Sequence, residues 1–318
     1  MAGQLWGTAT LGGNLSIGML SKKLRQTAQP LIRGDQFCRP EPGAGKHKGD
    51  TVYFNKISDL TDAGAGTPLS ENQTIPIDNV TINRGSILMD EYGRGVGYTG
   101  KLEALSEFQV DNVIMPPLRN HAAKVINNLA LNQFKATYVQ YTPTGTVAVP
   151  TGTFDTDGTI STAATRDIQA VDIYDVVEYM QGTLFTPSWD GENYAALAHP
   201  SFLRKLREDS DWEWAAAYAR PEALMSGEIG RFHGVRFIKN THGLSSTLGG
   251  TAFKGSAVMF GEDAVAKATA VPMEIREKIP ADFGRDQAVA WYALVGYKII
   301  WDATAAAGQA RIVYVTST

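Results

Sequence analysis

The stretch from Pro116 to Tyr138, PPLRNHAAKVINNLALNQFKATY, is the longest uninterrupted helical pattern in the sequence, and it limits what the chain can fold into. Proline is tolerated in the first turn of a helix, where its missing amide hydrogen would have no partner, so Pro116 and Pro117 predict the start. Leu118, Ala122, Val125 and Leu129 then recur at four, three and four residues, which places an apolar stripe on one face. At about 1.5 Å per residue the helix would span roughly 34 Å, well beyond the ordinary globular helix of about 11 or 12 residues. A helix of that length must lie on something, and the segments around it read as strands. The pattern is α+β.

Asp50 to Ile57 alternates polar and apolar residues as a half-buried strand does, and Gly64, Gly66 and Pro68 mark a tip within Asp59 to Ser70. Thr74 to Asp78, Val80 to Asn83 and Ile87 to Asp90 return as short strand-like runs, with Pro76 suited to an edge. Tyr92 to Thr99 would complete a two- or three-stranded excursion. Such an arm buries too little apolar surface alone and is expected to lie on a neighbour. Leu102, Leu105 and Phe108 suggest a short helix leading into the long one.

Beyond it, Tyr141 to Asp167 is rich in Thr, Gly and Pro and reads as an exposed hairpin or insertion. Ala170 to Phe185 carries Val171, Tyr174, Val177 and Leu184 with Asp172 and Asp175 in its first turns, an amphipathic helix. Tyr194 to Ala198 and Ser256 to Phe260 are buried-strand candidates, separated by a short helix from Phe202 to Glu208 and an aromatic segment from Asp211 to Leu224 suited to core or interface. Met273 to Ile279 alternates like an edge strand. Ala288 to Ile300 and Arg311 to Thr316 carry the strongest strand patterns. The first 48 residues lack enough regular pattern for a core of their own.

The chemistry of catalysis is hard to find in this order. The five histidines, at 47, 121, 199, 233 and 242, show no metal-helix spacing, and the single Cys38 excludes an internal disulfide and a zinc cluster, which suits a reducing cytoplasm. Gly43-Ala44-Gly45-Lys46 fails as a phosphate loop because Pro40 and His47 stand where Gly and Ser or Thr are needed. Gly93, Gly95 and Gly97 lie among strand-like residues with no helix beginning inside them. Asp282-Phe283-Gly284 has none of the companion loops of a kinase. A small hydrolase or binding protein using the neighbourhood of His199 or His233 is the rival from another class. A net charge of −4 argues against a dedicated nucleic-acid reader, and no apolar run approaches the length of a membrane span. The small basic clusters, Lys22, Lys23 and Arg25 with Lys46 and Lys48, fall in the first 48 residues.

The stretch GEIGRFHGVRFI from Gly227 to Ile238, with Ala198-His199-Pro200 before it and Gly284-Arg285-Asp286-Gln287-Ala288-Val289-Ala290-Trp291 after it, resembles the major capsid proteins of tailed bacteriophages with the Hong Kong 97-type fold. It is most similar to the podophage group typified by phage N-four. The resemblance implies an N-terminal arm (1–48), an extended β-hairpin loop (49–100), a peripheral domain with the spine helix and an exposed insertion (101–167), an axial domain (168–272) and return strands of the peripheral domain (273–318). It implies a non-enzymatic subunit without cofactors that forms the hexamers and pentamers of an icosahedral head. Its expected partners are a scaffolding protein, a portal protein, a decoration protein and nonspecifically held double-stranded DNA. The expected location is the virion, after assembly in the host cytoplasm. An encapsulin-like bacterial shell is the alternative within the fold. Gly230 and Gly234 fit a tight turn before the strand from Val235 to Ile238. The candidate assembly-interface residues are Lys56, Asp59, Asp62, Glu71 and Arg84 in the loop, with Glu228 and Arg231 around that turn. No motif aligns Lys56 or another residue with the cross-link made by the founding member of the fold.

Overall fold

The computed structural model describes residues 33–42, 49–57, 71–72, 74–75, 79–159, 164–208, 228–244, 255–279, 282–301 and 310–317. In chain order these form β1 (Arg39–Pro40), β2 (Thr51–Ile57), β3 (Ile82–Leu88), β4 (Asp90–Thr99), α1 (Gly100–Leu105), α2 (Val110–Lys135), β5 (Val139–Gly145), β6 (Pro150–Asp155) and α3 (Ala170–Gly182). Then come β7 (Tyr194–Ala198), α4 (Pro200–Arg207), β8 (Glu228–Phe232), β9 (Val235–Lys239), β10 (Gly255–Phe260), β11 (Val265–Glu277), β12 (Asp286–Ile299) and β13 (Ile312–Ser317). The strands make a four-stranded sheet in the order β1-β11-β12-β4, a seven-stranded sheet in the order β6-β5-β13-β10-β7-β9-β8, and a separate ribbon of β2 and β3.

The seven-stranded sheet is covered on both faces. Ala195, Leu197, Val258, Phe260, Ile312 and Tyr314 meet α2 on one side, while Ala196, Ala198, Ala257, Met259, Val313 and Val315 meet α3 and α4 on the other. That is why β7 and β10 are unbroken small and apolar runs, buried at every residue.

The long helix begins at Val110, six residues before the expected start, and Pro116 and Pro117 lie inside it. The carbonyls of Asn112 and Val113 therefore find no amide hydrogen four residues on. A proline inside a helix costs about 3 kcal/mol, whereas burying a Val or Ile side chain contributes about 1.5–3 kcal/mol. Val110 and Ile114 are both buried, and the roughly 3–6 kcal/mol of their burial goes most of the way against the roughly 6 kcal/mol of the two prolines. The buried line is also different from the expected stripe. Val110, Ile114, Leu118, Ala122, Ala130 and Phe134 are buried on one line of four-residue steps, joined by Asn127 and Leu131 in the second half, while Ile126 on that line is only partly buried, as are Val125 and Leu129.

Three further expectations change. Asp90–Thr99 is not part of the excursion but the edge of the four-stranded sheet, paired with β12 from Asp90↔Val295 to Thr99↔Asp286. At Gly93 an added Cβ would lie 2.9 Å from the Trp291 carbonyl, so glycine there is a condition of that pairing. The expected edge strand Met273–Ile279 is the far end of a longer strand that starts at Val265. The last strand, β13, lies between β5 and β10 in the seven-stranded sheet rather than returning to the four-stranded one. The segment Asp211–Leu224 lies outside the described residues.

The hairpin of β5 and β6 is not an exposed insertion, because Tyr141 and Thr142 are buried and Arg166 locks the hairpin to α3. The Arg166 guanidinium donates to both oxygens of Asp172 at 2.5 and 2.7 Å, and to the carbonyls of Thr144 and Thr151 at 2.7 and 2.9 Å. The Tyr141 hydroxyl donates to Asp172 at 2.6 Å, and the Gln169 amide donates to it at 2.8 Å. Burial first, and then this carboxylate, push the Tyr141 phenol up from its ordinary range. Asp172 thus faces inward, and α3 is rotated so that Ile173, Val176 and Met180 are buried while Val171 and Tyr174 face out.

A second polar contact ties α2 to the four-stranded sheet. The buried Trp291 indole donates to Nδ1 of His121 at 3.1 Å, and because an indole cannot accept, the imidazole must be neutral at that nitrogen. Burial, helped by Arg94 and Lys124, holds His121 below its ordinary value of 6.5. His199, His233 and His242 are lowered as well, in each case first by burial.

Two outcomes are expected. Asp172→Ala strands a buried guanidinium and should cost about 3–5 kcal/mol in urea unfolding, whereas a change under about 1 kcal/mol would mean that the pair does not hold the hairpin. Histidines with lowered folded values bind protons more readily when unfolded, so their contribution is present above pH 6.5 and is lost as pH falls through it. Thermal unfolding between pH 7.5 and 5 should show a falling midpoint that His121→Gln makes shallower; a midpoint that rises on acidification would contradict this sign.

Candidate assembly surfaces

The ribbon of β2 and β3 has two unlike faces, because side chains alternate and the pairs Tyr53↔Ser86, Asn55↔Arg84 and Ile57↔Ile82 share one side. On the inner side Val52 and Ile87, with Met89 just beyond the ribbon, pack on Ala266, Ala268, Ala270 and Ile300, a small core at the ribbon's root. The ring of Phe54 lies over Gly85, where a Cβ would be 2.3 Å from the ring, so a side chain there would displace the ring. The outer side carries Tyr53, Ile57, Ile82 and Leu88, each between 55% and 63% exposed. Arg84 sits among them with its guanidinium 5.5 Å from the centre of the Tyr53 ring. Four large apolar side chains on one uncovered face are more than scattered surface residues.

The candidate interface residues do not form one site. Lys56 lies on the inner side of the ribbon, half-buried, and Arg84 on the outer side. Glu71 is exposed in a turn, and Asp59 and Asp62 lie outside the described residues. Glu228 and Arg231 belong to β8, at the far edge of the seven-stranded sheet, where Arg231 pairs in register with Arg236. Arg236 is held by Asp190 at 2.8 Å, while Arg231 is exposed. The β8–β9 turn is centred on His233 and Gly234, with φ of 44° and 73°, so the tight turn is shorter than the glycines alone suggest.

Two surfaces gave little sequence signal. The loop between β11 and β12 places Asp282 and Phe283 at φ of 50° and 55°, with Phe283 fully exposed and Ile279 nearly so. An ion pair of Lys278 and Asp286 closes the hairpin beneath them. The chain entering β1 is clamped instead of free: the Gly34 amide donates to Asn127 at 2.8 Å, and Asp35 accepts from Lys267 at 2.7 Å and from the Tyr297 hydroxyl at 2.5 Å. A cleft of about 430 Å³ lies beside this clamp, lined by Arg33, Ile126, Pro272 and Met273 among others. Among the described residues, no three His, Cys, Asp or Glu side chains converge as metal ligands, and no helix is long and apolar enough to cross a membrane.

No protein-family model and no curated protein matches the chain. Its architecture nevertheless has close counterparts among solved structures. The acid-stable capsid structure of Helicobacter pylori bacteriophage KHP30 superposes with a TM-score of 0.70 at 12% identity, over 97% of each chain. The cyanophage Pam1 capsid matches with a TM-score of 0.67 at 15% identity, over 97% of this chain and 98% of that one. The fold is the Hong Kong 97-type capsid fold. The capsid of Ralstonia phage GP4 agrees, with a TM-score of 0.65 and 15% identity over 95% of each chain.

The seat of the ribbon can be tested by itself. At Gly296 of β12 an added Cβ would lie 2.2 Å from the Leu88 carbonyl, a backbone atom that cannot step aside. Gly296→Val should destabilise the chain by about 1–3 kcal/mol and speed tryptic cleavage at Lys56 and Arg84. Unchanged cleavage and stability would show that β3 does not need this close approach.

Proposed function

We propose that the protein is a major capsid subunit that self-assembles into the hexamers and pentamers of an icosahedral phage head enclosing double-stranded DNA. The observation that carries this reading is the overlap with phage capsid chains over almost the whole length, joined to a ribbon whose outer face leaves four large apolar side chains uncovered. A subunit that ends in such surfaces gains from neighbouring copies the burial it cannot supply itself, and symmetry repeats each contact around the shell. On this reading residues 1–48 are the arm and 49–100 the extended loop, whose last strand, Asp90–Thr99, is seated as the edge of the four-stranded sheet. The peripheral domain is 101–167 with return strands at 273–318, and 168–272 is the axial domain, with β5, β6 and β13 crossing over to complete the seven-stranded sheet. The motifs around Gly227–Ile238 and Gly284–Trp291 favour the N-four-type podophage group. The chain is structural, without catalysis or cofactor, and works with separate scaffolding, portal and decoration proteins. It is assembled in the host cytoplasm and ends in the virion. Lys56, Asp59, Asp62, Glu71, Arg84, Glu228 and Arg231 are the polar residues assigned to contacts between copies.

The test is assembly. Wild-type protein expressed with its scaffold should give rings or closed shells by negative-stain microscopy, and a 34.4 kDa monomer under all conditions would refute the reading. Tyr53→Glu combined with Ile82→Glu changes only the outer face of the ribbon, so the variant should keep its circular dichroism spectrum and fail to form shells. Normal shells from that variant would remove the ribbon from the set of gripping surfaces. Particles that hold an enzyme and no nucleic acid would favour a bacterial compartment.

A further inference from the structure

Opposite the buried ridge of α2 runs a second ridge with the same spacing: Asn112, Pro116, Asn120, Lys124, Asn128 and Asn132, each half-buried or exposed. Its chemistry differs from that of the chain as a whole. The protein carries 33 Asp and Glu against 29 Lys and Arg, yet after Asp111 in its first turn the helix holds no acidic residue through Lys135. Asp111 is already engaged as acceptor for the Tyr98 hydroxyl at 3.0 Å. Arg119 is exposed beside the ridge, and Arg94, exposed on β4, stands across from Trp291 on the side that faces the helix. Among the described residues, Arg94, Arg119 and Lys124 make no ion pair or hydrogen bond. The positive field is felt locally, since Lys124 helps lower both His121 and His242, with Arg94 acting on the first and Lys135 on the second.

We propose that this ridge is the surface on which the subunit meets duplex DNA, by way of the phosphate backbone and without reading bases. The inference rests on the capsid reading and names the part of the chain that serves one of its partners. Steps of four residues repeat every 6 Å or so along the helix, so amide donors and cations are presented at regular intervals to a duplex bearing one negative charge per about 1.7 Å. Asparagine amides and Lys or Arg side chains are the groups that contact phosphate. The ridge offers no apolar side chain except Pro116, so an acidic polypeptide would find charge but no anchor, whereas a phosphate backbone needs none.

Three cations predict a logarithmic salt slope of about −2.7, so affinity should fall roughly 40-fold between about 50 and 200 mM salt. Anisotropy of a labelled duplex of arbitrary sequence with the full-length protein measures this. The variant Arg94→Ala/Arg119→Ala/Lys124→Ala should lose most of the slope and bind at least about tenfold more weakly at about 50 mM salt. A variant of equal charge at the other surface, Arg276→Ala/Lys278→Ala/Arg285→Ala, should bind as wild type does. Circular dichroism on both variants establishes that they are folded. Wild-type binding by the first variant, equal loss by the second, or displacement of the duplex by polyglutamate at equal charge would each overturn the proposal. Shell formation is scored separately on the same proteins. Shells that form normally while duplex binding is lost support the ridge, and a wild-type protein that binds duplex but forms no shells counts against the capsid reading alone.

Discussion

A helix whose core-facing line advances in steps of four residues, buried at Val110, Ile114, Leu118, Ala122, Ala130 and Phe134, cannot keep one face toward one sheet. With about 3.6 residues per turn, each step of four turns the buried line by about 40°, and the six steps from Val110 to Phe134 turn it through about 240°. The N-terminal half faces the four-stranded sheet, where Tyr98 reaches Asp111 and Trp291 reaches His121. The C-terminal half faces the seven-stranded sheet, with the Phe134 ring 4.8 Å from that of Phe260 and the Thr137 hydroxyl on the Ile312 carbonyl at 2.7 Å. One continuous core therefore contains residues of both sheets, and α2 is what makes it continuous. A strict 3.6-residue stripe would have served one sheet and left the other uncovered.

The two sheets meet the problem of unpaired surface in different ways. The seven-stranded sheet is closed by helices, and its only deeply buried ion pair, among the described residues, serves to fasten its edge hairpin. The four-stranded sheet has an open outer edge along β11 beyond Lys267, and that edge is interrupted by register shifts around Val271 and by Pro272, devices that discourage uncontrolled strand pairing. The ribbon's outer face has no such interruption. Fully burying a large apolar side chain contributes about 1.5–3 kcal/mol, so Tyr53, Ile57, Ile82 and Leu88, each still 55–63% exposed, together represent roughly 4–7 kcal/mol of gross burial, against which association and side-chain ordering must be set. The β11 backbone edge is blunted while a side-chain face of the ribbon is left open, which favours a contact made through side chains over strand addition at that edge.

Strands and helices with a single environment were legible in the sequence. β2, β7, β10 and β12 follow their alternation or their apolar runs, and the α+β class followed from them. The misreadings share a cause, which is that a residue answers to partners distant in sequence. Tyr92–Thr99 alternates correctly, but nothing local says that it pairs with a strand almost 200 residues later. Tyr141 sits among Thr, Gly and Pro, and its burial depends on Arg166 and Asp172. Asp172 reads as a favourable first-turn acid of an amphipathic helix, and its role as the ion-pair partner of Arg166 turns α3 relative to the expected face. At the candidate surfaces, charge drew attention to Lys56 and Arg84, while the uncovered apolar set on the ribbon became visible only once the register placed Tyr53, Ile57, Ile82 and Leu88 on one side. Phe283 carried no signal because exposure of a single aromatic is a tertiary property.

The entry to β1 shows how the pieces are mechanically joined. Asn127 is almost fully buried on α2, accepts from the Gly34 amide and donates to the His242 carbonyl at 3.4 Å. Leu131, one turn on, packs so closely on both Gly34 and Gly243 that neither glycine could carry a side chain without displacing it. Lys135 caps the same loop by donating to the Gly243 carbonyl, and Lys267 and Tyr297 hold Asp35 to the four-stranded sheet. Three parts of the molecule thus share one residue of the helix: the chain leading to β1, the loop after β9, and α2 itself. A pull on Gly34 meets first its buried hydrogen bond to Asn127, whose loss would cost about 1–3 kcal/mol for each group left unpaired, and then the part-buried bonds of Asp35 to Lys267 and Tyr297. It is carried into α2, and through its turning ridge into both sheets.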